Sequence, residues 1–102
     1  SKIGPKWKPG FTKAIKYWVP SIATSAITIY KGSEFKEWNG LALVTSLKDK
    51  SLRALDFSDL SNVKESLIFK NKIGRLRDIQ VHPENGKIYF LANDSLWLME
   101  KN

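Results

Sequence analysis

The chain has 102 residues, 42% of them apolar and 26% charged, with no cysteine and a net charge of +7. That length supports one small domain with a modest core, and the composition is that of a globular rather than a disordered chain. Disulfide and thiolate chemistry are excluded, and no apolar run approaches the roughly 20 residues of a membrane helix, so no membrane partner is expected.

No signal peptide is visible. The chain opens on Ser1 and its only methionine is Met99, which points to a processed product or a piece of something longer. The charge is uneven. Residues 1–18 carry Lys2, Lys6, Lys8, Lys13 and Lys16 with no acid, whereas the other 84 residues hold twelve basic and ten acidic side chains. A lysine arm interleaved with Trp7, Phe11, Tyr17 and Trp18 has the composition to follow a nucleic-acid backbone. A connecting segment kept soluble by its charge is the better reading, because charge runs are usually solvated faces, and nucleic acid is not the expected partner.

In chain order, residues 1–20 hold Gly4, Pro5, Pro9, Gly10 and Pro20 without a sustained period, so they read as an irregular lead-in. From Ser25 onward short apolar runs alternate with turn chemistry: SAITIY (25–30), LALVTSL (41–47), SLRALDF (51–57), VKESLIF (63–69), RLRDIQV (75–81), KIYFLA (87–92) and SLWLME (95–100). Each has strand length and is rich in β-branched and aromatic residues. Asn85-Gly86 predicts a two-residue type I′ hairpin, and Asn93-Asp94 a similar tight turn. The segment SDLSNVKESL has a superficial helical look but reads as a loop between adjacent strands.

The fold class is therefore all-β. In KIYFLA, Ile88 and Phe90 point one way while Tyr89 and Leu91 point the other. SLWLME sets Leu96 and Leu98 against Trp97 and Met99. Two apolar faces imply a sheet packed between neighbours. The first four runs predict a four-stranded antiparallel meander, the unit of a propeller blade, and the last three a second sheet one strand short. The expected division is a lead-in over 1–20, a four-stranded blade over 21–70 and a partial blade over 71–102.

The candidate site residues cluster in GRLRD (74–78). Residues i and i+2 of a strand share a face, so Arg75 and Arg77 are expected together with Asp78 opposite. Guanidinium forks bind carboxylates in bidentate fashion. From spacing alone, a solvated surface is the simpler reading, as it is for Lys48 in the charged SLKDK turn. His82, the only histidine, has no nucleophile beside it, and Asp49, Asp56 and Asp59 lack calcium-loop spacing.

The order WVPSIA, a strand ending in YKG, W-N-G, a strand closing on SLK, then R-x-R-D, a His-Pro turn with Asn-Gly and two last strands resembles a known pattern. It is similar to the C-terminal part of soluble aldose sugar and glucose dehydrogenases that use pyrroloquinoline quinone (PQQ), over about residues 17–100. The resemblance implies a six-bladed β-propeller that holds PQQ and calcium and oxidises the C1 hydroxyl of aldoses by passing a hydride to the quinone. It implies that Arg75, Arg77 and Lys48 bind PQQ and that Trp18 lines the sugar pocket. It also implies that the catalytic base and the calcium ligands lie upstream, leaving no catalytic or metal-binding residue in this chain. The family's proline and glycine in PSIAPSG are replaced by Thr24 and Ala26. On this reading the chain is a C-terminal fragment, inactive alone and periplasmic or secreted. Its partners are the remaining blades or other copies of itself, and a strand from elsewhere completes the last sheet. A stand-alone β-blade module that binds or oligomerises without enzyme activity is the alternative.

Overall fold

A computed structural model describes residues 23–102. The lead-in over 1–20 and Trp18 lie outside the described residues. Seven strands follow: β1 (Thr24–Ile29), β2 (Ala42–Ser46), β3 (Ser51–Asp56), β4 (Lys64–Lys70), β5 (Leu76–Val81), β6 (Ile88–Ala92) and β7 (Ser95–Met99). They form two antiparallel meanders, ordered β1-β2-β3-β4 and β5-β6-β7. All seven coincide with the apolar runs to within a residue or two, as alternation and turn chemistry require.

The two sheets stack face to face. Leu43, Leu52 and Ala54 of the first close on Leu76, Ile79, Ile88, Phe90 and Ala92 of the second, all buried. Phe69 of β4 meets Phe90 of β6 edge-on at 5.6 Å. The sheets are nearest where β1 lies against β5. They part toward the outside, where a cleft of about 500 Å³ opens beside Phe69, Phe90, Trp97 and Met99. This wedge, narrow at the first strand of each sheet, is the packing of neighbouring propeller blades.

Both outer faces carry rows of apolar side chains, broken on the first sheet by Arg53 and Glu65. On the first sheet Ile27 and Ile29 pair with Val44 and Ala42. On the second, Tyr89 and Leu91 pair with Leu98 and Leu96. Ile27 is 66% exposed and Leu96 is 70% exposed. A sheet with one solvated face would alternate apolar with polar residues, and these faces depart from that pattern.

A buried tyrosine joins the sheets at one end. Tyr30 is fully buried. Its hydroxyl donates to the Gly86 carbonyl at 2.6 Å and accepts the Phe35 amide at 3.0 Å. A Cβ on Gly32 would lie 2.5 Å from the Gly86 Cα, so the two backbones meet at a contact only glycine permits. Between β1 and β2 a single 3-10 turn, Lys36–Trp38, stacks Trp38 on Phe35 at 4.6 Å. No sequence signal marks that turn.

One turn departs from expectation. Asn85-Gly86 does not form a two-residue type I′ hairpin. His82 N donates to Lys87 O, and Gly86 N donates to His82 O, which encloses a four-residue loop. Pro83 is the physical reason. Its ring fixes φ near −65°, suited to a right-handed turn, so the reversal starts at Pro83 and only Gly86, at φ +76°, is left-handed. Asn93-Asp94 does form the tight turn, joining the Ala92–Ser95 pair with Asn93 at φ +55°.

Candidate functional site

The rim formed by the start of β5 and the turn after β2 gathers three of the cationic side chains that the sequence singles out. Ser25 links them. Its hydroxyl shares a hydrogen bond with Thr45 Oγ1 of β2 at 2.7 Å and lies 2.8 Å from the Leu76 carbonyl of β5. Lys48 lies three residues beyond Thr45, in the turn over residues 47–50, while Arg75 and Arg77 flank Leu76. Asn71 N donates to Lys50 O at 2.9 Å, tying that turn to the loop that leads into Arg75. Topology thus brings Lys48, Arg75 and Arg77 to one rim.

The local geometry of GRLRD differs from a regular strand. Leu76 pairs with Ala92 but Asp78 pairs with Leu91, so Arg77 is the extra residue of a β-bulge. Leu76 and Ile79 both point inward although they are three apart, and Arg77 and Asp78 are both exposed. Asp78 therefore does not oppose Arg77 as simple alternation requires. Its Oδ1 accepts the Ile79 amide at 2.8 Å. Bulges re-aim side chains in this way. Arg75 precedes the strand, following Gly74 at φ +92°.

Gly74 is required by its left-handed backbone angle. A Cβ there would lie 2.4 Å from Asn93 Nδ2, so the β6–β7 turn sits directly on this loop. Lys48, Arg75 and Arg77 are exposed, and no ion pair among the described residues neutralises them. The rim thus presents three exposed positive charges, with the exposed carboxylate of Asp78 beside Arg77.

The turn itself is charged and ordered. Arg53 Nη2 lies 2.8 Å from Asp49 Oδ2 and Nε lies 3.1 Å from Glu65 Oε2, while Nη1 donates to Ser51 Oγ. The Arg53 hydrogen bond holds the Asp49 carboxyl below its ordinary range, with Ser51 and the charges of Arg53 and Lys70 adding to the effect and partial burial opposing it. Sequence reasoning missed this cluster. Its only trace is an aspartate four residues before an arginine across a hairpin.

His82 sits at the far end of β5. Its Nδ1 accepts the Glu84 and Asn85 amides, at 3.2 and 3.4 Å, so it organises its own turn. Among the described residues no group of histidine, aspartate and glutamate is arranged to hold a metal ion. No described helix is long and apolar enough to cross a membrane.

Comparison with known proteins adds two findings. A family model described as Glucose / Sorbosone dehydrogenase matches residues 2–97. An uncharacterized protein of Synechocystis sp. is 29% identical over 89 residues, covering 86% of this chain and 21% of its own length. The chain thus spans about a fifth of that relative.

Proposed function

The chain belongs to the glucose/sorbosone dehydrogenase family, and from that premise we propose that it supplies one wall of the cofactor site in a PQQ-dependent sugar dehydrogenase. Lys48, Arg75 and Arg77 bind the carboxylates of PQQ and orient it, and the full protein oxidises the C1 hydroxyl of an aldose. The observation that carries the reading is the gathering of these three unpaired cations on one rim by the Ser25–Leu76 and Asn71–Lys50 hydrogen bonds. PQQ bears three carboxylates, and two planar forks and one ammonium are donors suited to them, with the Asp78 carboxylate beside Arg77 engaged by the Ile79 amide.

When bound, PQQ supplies the two-electron oxidant that accepts hydride from the sugar. The residues of this chain hold and orient the cofactor. The base that takes the hydroxyl proton and the calcium that accompanies PQQ belong to other parts of the protein. Trp18 is assigned to the sugar pocket on the resemblance alone, and a periplasmic or secreted location follows from the same source.

The test is PQQ titration of the full polypeptide as its gene encodes it, alongside Lys48→Ala, Arg75→Ala and Arg77→Ala. Each charge-assisted contact is worth about 1.5–3 kcal/mol, so each variant should bind at least about tenfold more weakly. Equal affinity in all four proteins, or none in the parent, refutes the proposal.

A second reading rests on the exposed apolar residues of the outer faces and on the edge of β7, which pairs with no further strand among the described residues. Such edges and faces recruit further strands and sheets. The occupants are the remaining blades or, in a stand-alone module, other copies of this chain, three of which would approach six blades. Light scattering on the 102-residue chain separates the two: a discrete trimer with no PQQ affinity favours the module.

A further inference from the structure

The backbone around Lys48 is anchored on every side while its exposed side chain has no partner among the described residues. Before it, Leu47 N donates to Ala23 O at 2.8 Å. After it, Asp49 is held by Arg53 at 2.8 Å, and Lys50 O accepts Asn71 N at 2.9 Å. Lys50 takes a left-handed φ of +54°, a conformation that costs a non-glycine residue about 1–2 kcal/mol and therefore needs such anchors. Lys48 has no hydrogen bond or ion pair among the described residues.

Arg53 is the hub of this arrangement. It lies on the outer face of the first sheet between Val44 and Leu67, its register partners on β2 and β4. Only 14% of its side chain is exposed, against 17% for Asp49. An ion pair flanked by apolar side chains is less screened than one in water, so its geometry is held more firmly. The clamp has little reserve, because Ser46 Oγ and Asp49 Oδ1 are buried with no hydrogen-bond partner among the described residues. Arg53 is therefore the main group that compensates the carboxylate.

We infer that Arg53 and Asp49 are positioning residues for Lys48: their ion pair fixes the β2–β3 turn so that the lysine ammonium stays on the rim it shares with Arg75 and Arg77. Neither touches the ligand; both act by denying the turn its alternative conformations. An ammonium on a flexible stem loses affinity if its backbone also wanders, and anchoring the backbone removes that part of the ordering cost. The inference rests on the reading of Lys48 as a contact to an anionic cofactor.

The experiment is a double-mutant cycle on PQQ affinity in the full polypeptide. Asp49→Ala should weaken PQQ about three- to tenfold in the parent. The loss should vanish in a Lys48→Ala background and persist in an Arg77→Ala background. A merely structural role would cost the same in both. Asp49→Asn, which keeps an acceptor for Arg53, should recover part of the affinity. Arg53→Met should reproduce the pattern if it folds, and the cycle stands on Asp49 alone if it does not.

A second readout needs no cofactor. In Asp49→Ala, amide hydrogen exchange should accelerate at Leu47 and Asn71 while Ile79 and Phe90 in the core keep the parent's protection. If Lys48→Ala binds PQQ as the parent does, the reading of Lys48 fails and the inference falls with it. If Lys48→Ala weakens binding but the Asp49→Ala loss is the same in both backgrounds, the positioning role alone is overturned. Unchanged exchange at Leu47 and Asn71 overturns it as well.

Discussion

Tyr30→Phe removes one oxygen from the junction between the two sheets and isolates what that oxygen does. The ring stays, edge-on to Phe35 at 6.1 Å and to Trp38 at 6.2 Å, so no large cavity forms. The Gly86 carbonyl and the Phe35 amide both lose their partner in a place where Tyr30 and Gly86 are buried. An unsatisfied buried group costs about 1–3 kcal/mol, so the pair should cost about 2–4 kcal/mol. A domain of this size has on the order of 5–10 kcal/mol in total. Urea unfolding followed by tryptophan fluorescence reads the loss. With a slope of about 2 kcal/mol per molar urea, the midpoint should fall by about 1–2 M. A fall below about 0.3 M with an unchanged slope would refute the reasoning, because water would then be reaching both groups.

Further outcomes follow from the glycines and from Asp49. Gly86→Ala should destabilise at least as much as Tyr30→Phe. Its Cβ would lie 2.6 Å from Tyr30 Oη and 2.8 Å from the Gly32 Cα, and its φ is +76°; urea unfolding checks it. Gly74→Ala should lower the melting temperature by about 5–10 °C through its φ of +92°. Adding Asn93→Gly should not restore the loss, since only the steric part is relieved; full restoration would show that the backbone angle is not the cause. The Asp49 carboxyl titrates below its ordinary value in the folded chain. Its contribution is complete above the unfolded value of about 3.9 and is lost as pH falls through the lower folded value. Asp49→Asn should therefore flatten the fall in urea midpoint between pH 5 and pH 3. The slope should not vanish, because Asp56 is lowered in the same direction by the Ser58 amide and hydroxyl.

The seven strands were legible because the physics that makes them is local. Alternation and β-branched residues mark each run, and Asn93-Asp94 marks its own turn. The two apolar faces of KIYFLA foretold stacking, and Ile88 and Phe90 are indeed buried between the sheets while Leu91 remains outward. What escaped the sequence depends on neighbours distant along the chain. The Tyr30 hydroxyl reaches a carbonyl 56 residues away, and nothing in IYKGS distinguishes it from any strand-end tyrosine. The Asn85-Gly86 turn misled because the dipeptide rule takes no account of the proline two residues earlier. At the site, residue types and order pointed to Lys48, Arg75 and Arg77 only through resemblance. Their shared rim depends on Ser25, which no motif singles out.

The rule that failed inside the site is itself informative. Alternation puts Arg75 and Arg77 on one face, but the bulge at Arg77 breaks the count, just as a second register shift lies between Thr24 and Ala26 in β1. These two irregularities fall at the beginning of the first strand of their sheets, on the same rim, and a third lies in β4, where Ile68 is the extra residue. In β1 the extra residue is Ser25, whose hydroxyl reaches Thr45 and the Leu76 carbonyl and so connects the sheets. In β5 the extra residue is Arg77, left exposed and unpaired among the described residues. The same backbone device therefore does two jobs, one residue joining the sheets and the other standing outward as a charge. A bulge forfeits part of a ladder, so its presence at both inner strands calls for a compensating use. At β1 the compensation is the inter-sheet hydrogen bond. At β5 the Leu76 carbonyl receives that same bond and Asp78 Oδ1 accepts the Ile79 amide, while the bulge turns Arg77 outward to where the proposed anionic ligand would meet it.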